Sequence, residues 1–170
     1  MRWKLTTTAG VLAAFLAGCD RPSPQDAQLS GEELSEVLKL SPLPTPPPSP
    51  TNTFADDPGA ARLGQSLFYN AHLSSNGEIS CATCHNPGHG FSDAKPLAEG
   101  LKTTRRHSQA LWNMAYQRWY FWDGRTDSLW AQSLQPLQSP DEMGATPEHA
   151  LSVVAGGRTL KTAYEELFGP

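Results

Sequence analysis

The sequence predicts an all-α domain with long loops, on three observations. Helix-start signals recur along the chain, pairing a polar cap with a nearby proline or glutamate, at Ser30-Gly31-Glu32-Glu33, Asp57-Pro58 and Thr146-Pro147-Glu148. Apolar residues recur at helical spacing, and no stretch alternates apolar and polar residues as a half-buried strand would. Cys81-Ala82-Thr83-Cys84-His85 sets two cysteines on one face of a single helical turn.

Residues 1–18 carry Arg2 and Lys4 and then an apolar run through Leu16-Ala17-Gly18, the pattern of a secretory signal too short to span a bilayer stably. The run ends in Leu16-Ala17-Gly18-Cys19, which resembles a bacterial lipobox, so Cys19 is the expected lipidation site and first mature residue. A multiply acylated terminus anchors a protein without spanning the membrane, and the expected location is the periplasmic face of a bacterial membrane. Residues 19–56 read as a lipid-anchored, proline-rich linker. Its one helix is short, opening at Ser30 with Leu34, Val37 and Leu38 on one face, before the proline run 42–50 makes an extended spacer.

The folded domain spans residues 57–170. Asp57 caps a helix with Pro58 at its first position and Leu63, Leu67 and Phe68 toward the core, ending near Asn70. Asn76-Gly77 is a turn that delivers the chain to Cys81. Residues 86–93, rich in glycine, read as loop rather than helix. Residues 111–125 hold three of the five tryptophans; burial in the core is one reading, but it does not account for such density beside Arg118, Asp123 and Arg125. Thr126 or Asp127 should cap a helix carrying Leu129, Trp130, Ser133 and Leu134 and stopped by Pro136. Thr146 opens another that Gly156-Gly157 ends, and a last amphipathic helix runs from Thr159 to Phe168 before Gly169.

A Cys-x-x-Cys-His run is the attachment pattern of haem c: two thiols bond the porphyrin edge and the adjacent histidine reaches the iron. Zinc would need a second ligand pair, and the only other cysteine is Cys19. A redox Cys-x-x-Cys would follow a strand in a βαβ context, which is absent from the pattern. One covalent haem c on Cys81, Cys84 and His85 is therefore expected, and no cysteine is left for a disulfide. A net charge of −4 with no basic block argues against nucleic acid as a partner.

Leu63-Gly64-Gln65-Ser66-Leu67-Phe68-Tyr69, Leu73-Ser74, Ser80 to His85, Gly90-Phe91-Ser92-Asp93, Asn113 with Ala115-Tyr116, Phe121-Trp122-Asp123-Gly124-Arg125, Gln132, Pro136 and Glu142-Met143 follow one another in order. Together they resemble the N-terminal, peroxidatic haem domain of the bacterial dihaem cytochrome c peroxidase family, which includes the MauG-type enzymes. The resemblance runs from about Asp57 to the end and implies a cytochrome c-like haem domain reacting with hydrogen peroxide. By matching positions, His85 is the proximal ligand, Pro136 belongs to the cofactor-binding set, Gln132 and Glu142 line the distal pocket, and Trp122 lies between two haems. Cleaving peroxide requires a proton taken from its near oxygen and returned to the far one, work suited to a carboxylate beside an amide. The implied partners are a small cytochrome or copper protein as electron donor, or, in MauG fashion, a partner protein with oxidisable aromatic side chains.

The sequence also departs from the family. Leu101 stands where members with a displaceable distal histidine carry it, which implies a haem open to peroxide, with His107 and His89 the nearest alternatives. His107 stands where many members have an asparagine that helps to bind calcium at the domain junction, which weighs against carrying calcium over. Gln109 and Gln135 replace a proline and a glycine. The chain stops at Pro170 with one haem motif where members continue through a second haem domain, so a partial protein with an exposed apolar face and a tendency to dimerise is expected. The competing reading is a monohaem electron carrier with His85 and Met143 as axial ligands, in which Glu142 is only a solvated acid.

Overall fold

The computed structural model of the chain describes residues 28–170; the leader over 1–18 and Cys19 lie outside the described residues. The chain divides into two units at Thr45–Pro46. The first contributes helix α1, Gly31–Leu38, which opens with a reciprocal cap: Glu33 N–H donates to Ser30 Oγ at 3.2 Å, and Ser30 N–H donates to the Glu33 carboxylate at 2.8 Å. All of α1 is exposed. Among the described residues, no helix is long and apolar enough to cross a membrane.

The second unit, Pro46–Pro170, carries α2 (Pro58–Phe68), α3 (Cys81–Cys84), α4 (Leu129–Gln138), α5 (Pro147–Gly156) and α6 (Arg158–Phe168), with short 3₁₀ turns at Ala71–Leu73, Pro87–His89 and Met114–Tyr116. No strand occurs among the described residues; three isolated bridges join Asn86 to Ser92, Glu99 to Thr103 and Tyr120 to Thr126. Asp57 Oδ1 accepts from Gly59 N–H (2.7 Å) and Ala60 N–H (2.9 Å), the cap that Asp57-Pro58 predicts. α2 packs on α6 and α6 on α5, and the Phe54 ring meets the Phe168 ring edge-on at 4.7 Å.

The apolar core is small. Leu73, Ile79 and Met143 form its buried centre, with Leu67, Leu101, Leu137, Ala150, Val153 and Cys81 packed around it. Because Cys81 is one of those neighbours, the core stands directly behind the haem motif.

Two local expectations need correction. α4 begins at Leu129 with Ser128, not Thr126 or Asp127, at the N-cap, and it runs through Pro136 to Gln138. Pro136 lacks the N–H that would reach back to Gln132 O, yet the helix closes its last turn through Ser139 N–H to Gln135 O at 2.8 Å. Within the loop 86–93, Pro87–His89 forms a 3₁₀ turn: the Asn86 side chain accepts from Gly88 N–H at 2.7 Å, and Gly90, at φ +65°, stops it.

Candidate haem site

Ser74 prepares the approach to the motif. It is fully buried, its Oγ lies 2.9 Å from both Ala71 O and Asn76 Oδ1, and it accepts from Ile79 N–H at 3.1 Å. The Asn76-Gly77 turn is thereby fixed to the segment entering α3. There Thr83 Oγ1 accepts from Ser80 N–H at 3.0 Å, and His85 N–H closes the turn onto Cys81 O at 2.8 Å. Cys81 and Cys84 are both free thiols, partly buried on this one turn. Burial pushes the Cys81 thiol above its ordinary pKa. Burial also raises Cys84, and the charges of Asp93 and Glu142 add to that rise against a Ser108 hydrogen bond and the Lys95 charge.

His85 Nδ1 meets the backbone carbonyl of Phe91 at 3.1 Å. A ring nitrogen facing a carbonyl must carry the proton, so the neutral imidazole keeps its lone pair on Nε2, the atom a metal takes. The loop that places this carbonyl closes on itself, with Phe91 N–H on Asn86 O at 2.8 Å and Asn86 N–H on Ser92 O at 3.1 Å.

Glu142 lies on a turn tied from three sides. Leu101 N–H donates to Glu142 O (2.8 Å), Ser75 N–H to Met143 O (2.9 Å), and Met143 N–H to Pro136 O (3.1 Å). Two glycines permit the approach. A Cβ on Gly100 would fall 2.6 Å from Glu142 Cα, and one on Gly144, itself at φ +62°, would fall 2.6 Å from Leu101 Cδ1. Pro136 thus connects α4, which also carries partly buried Gln132, to the Glu142 turn. Met143 is 4% exposed within the core, whereas adjacent Glu142 is only partly buried and its charge reaches Cys84.

Trp122 belongs to a different neighbourhood. Its Nε1–H donates to His107 O at 3.2 Å, and the two rings meet edge-on at 4.8 Å. Beside it, Asp123 pairs with Arg125 (2.8 Å) and Arg106 (3.5 Å). Arg125 also lies over the Phe121 ring, 3.4 Å from its centroid, and donates Nε–H to Gln135 Oε1 at 2.8 Å, which ties this loop to α4. The Arg125 hydrogen bond holds the Asp123 carboxyl below its ordinary pKa. The tryptophans are not core: Trp112, Trp119, Trp122 and Trp130 are 62%, 64%, 52% and 60% exposed. His89 is exposed on its 3₁₀ turn, and among the described residues no three His, Cys, Asp or Glu side chains converge as a metal site would need.

The model of the di-haem cytochrome c peroxidase family matches residues 58–170. The chain belongs to this family. It is 33% identical to the methylamine utilization protein MauG of Methylorubrum extorquens over 144 residues, covering 83% of this chain and 40% of that protein. It is 34% identical to a cytochrome c551 peroxidase of Nitrosomonas europaea over 111 residues, 64% of this chain and 33% of the relative. Among solved structures it resembles the diheme peroxidase BthA of Burkholderia thailandensis, with a TM-score of 0.61 at 31% identity over 72% of this chain and 36% of that one. The chain therefore spans about 40% or less of the length of these relatives.

Membership implies covalently bound haem c, and the residues present suit it. Two free thiols share one helical turn, the histidine next to them has its Nδ1 engaged and its Nε2 available, and the core ends at Cys81. Three contributors are invisible to residue-type reasoning. The Phe91 carbonyl orients His85, yet every residue has a carbonyl. Gly100 and Gly144 admit the Glu142 turn, and only the family's spacing hints at the first of them.

Proposed function

We propose that this chain is the peroxide-reactive haem domain of a dihaem peroxidase, an oxidoreductase holding one haem c on Cys81, Cys84 and His85. The observation that carries this reading is the division of labour between two adjacent residues. Met143 spends its side chain filling the core beside Leu73 and Ile79, whereas Glu142 stays outside it and acts electrostatically on the haem motif. In an electron carrier the Met143 sulfur would instead leave its packing against Leu73 and Ile79 to bind the iron.

Bound haem supplies an iron centre at which the O–O bond of hydrogen peroxide is cleaved. Cys81 and Cys84 would hold the porphyrin edge, and His85, its ring oriented by the Phe91 carbonyl, would bind the iron through Nε2. Glu142 takes the proton from the near oxygen of peroxide and returns it to the far oxygen. Gln132 orients the peroxide, and Pro136 holds Glu142 in register with α4. Trp122 carries electrons toward this domain from a second haem domain, supplied by a small redox protein or by a partner protein that is itself oxidised. A lipid on Cys19 anchors the whole at the periplasmic face of the membrane.

The test is Glu142→Gln in haem-loaded protein, followed by stopped-flow mixing with peroxide. The rate should fall roughly 10²- to 10⁴-fold, the usual worth of a positioned acid–base group. An unchanged rate removes Glu142 from the reaction, and a methionine-to-iron charge-transfer band in the ferric spectrum supports the electron carrier instead.

A further inference from the structure

One residue joins His85 to the exposed Trp112. The Phe91 carbonyl lies 3.1 Å from His85 Nδ1, while the Phe91 ring packs edge-on against the Trp112 indole, centroids 5.5 Å apart and planes at 82°. Phe91 holds both contacts at φ +59°, a left-handed conformation that bulky residues seldom adopt. Preceding Gly90 leaves room for the indole: a Cβ there would sit 3.3 Å from Trp112 Nε1. Trp119 and Trp130 match Trp112 in exposure, at 64% and 60% against 62%, but neither packs on another aromatic ring among the described residues. Trp122 packs on the His107 ring and not on Phe91.

We infer, resting on the peroxide-reactive reading above, that Trp112 is a redox terminus of the proximal side: the surface residue that supplies electrons through Phe91 and His85 when no external donor does, and is oxygenated there. The Trp112 indole gives up two electrons and two protons and gains one oxygen from water, a C–O bond replacing a C–H bond. Those electrons and protons reduce one hydrogen peroxide to two waters. An indole is oxidised more readily than a phenyl ring, so Phe91 transmits the electrons without being consumed.

The test treats haem-loaded protein with hydrogen peroxide in the absence of donor and maps the added oxygen by peptide mass spectrometry. Cleavage after Arg118 separates Trp112 from Trp119, and fragment ions separate Trp112 from Met114 on the same peptide. Oxygen should appear on Trp112 ahead of Trp119 and Trp130. Equal marking of all three, as a diffusing oxidant would give at equal exposure, overturns the inference. Phe91→Leu keeps the carbonyl for His85 but removes the ring, and should abolish the preference for Trp112. A folded Phe91→Leu protein that retains the preference overturns the route, and if that variant does not fold, the wild-type map decides alone. Peroxide consumed with Trp112 unmarked sinks this inference only, whereas peroxide left unconsumed sinks the peroxide-reactive reading and this inference with it.

Discussion

The haem motif and the tryptophan loop are held by different means. Around Glu142, backbone joins backbone: Ser75 to Met143 and Leu101 to Glu142 across long stretches of sequence, and Pro136 to Met143 locally. Around Trp122 the ties are largely side-chain ones, with Asp123, Arg106, Arg125 and Gln135 linked at the surface and Phe121 held at φ +66°. Backbone bonds hold the Glu142 turn without a titrating group, which suits the proton-moving role proposed for Glu142. The tryptophan loop instead presents oxidisable rings at the surface, which fits the electron-carrying role proposed for Trp122.

The sharpest way to break the first region is through its glycines. Gly100→Ala puts a Cβ 2.6 Å from Glu142 Cα and 2.7 Å from Asp141 O, backbone atoms that cannot swing aside. Overpacking of this kind costs about 1–3 kcal/mol, and the peroxide rate should fall with it because the Glu142 turn must shift. Gly64→Ala on α2 is the control. Nothing lies within 4 Å of that position, and alanine in a helix interior gains roughly 0.5–1 kcal/mol over glycine. Urea midpoints moving down for Gly100→Ala and up for Gly64→Ala would support the contrast, and equal shifts would erase it.

What the residues alone reveal differs between the two regions. The helices follow from short-range signals, such as the Ser30 and Glu33 exchange, Asp57 before Pro58 and Thr146 before Pro147, because caps act within one turn. Cys81 to His85 is legible for the same reason, since the chemistry fits one helical turn. Pro136 misleads because the bond it forfeits is outweighed by ties outside the helix that only the fold shows, its own carbonyl accepting from Met143 N–H. Glu142 and Met143 point to opposite functions while adjacent in sequence, and only tertiary packing separates them. Residue type alone argues for buried tryptophans, but their density beside Arg118, Asp123 and Arg125 argues against core packing, and Trp112, Trp119, Trp122 and Trp130 are each more than half exposed.

The second region should tolerate loss of a large side chain. Trp119→Gln removes an indole that is 64% exposed, so stability should stay within about 0.5 kcal/mol of wild type, as for surface changes generally. A larger loss by urea unfolding would mean that the indole carries structure, and the contrast between the two regions would weaken.

The smallest effect distinguishes the two modes of attachment by pH. Hydrogen bonding from Arg125 lowers the Asp123 pKa in the folded chain. A depressed carboxylate contributes stability that is fully present above its unfolded value, about 3.9, and that disappears as pH falls through the lower folded value. The clasp on the Trp122 loop should therefore hold at neutral pH and release only below about pH 4. Its contribution is small, because both side chains are 44% exposed and screened by water. Carbon-13 NMR of the Asp123 carboxyl reads this directly, expecting titration below the ordinary range in wild type and a return toward it in Arg125→Met. An ordinary value in wild type would mean that the Arg125 contact does not persist in solution, leaving the α4 end of the loop to Phe121 and Gln135 alone. The backbone ties at Glu142 contain no titrating atom, so over the same acid range they should outlast the Asp123 clasp.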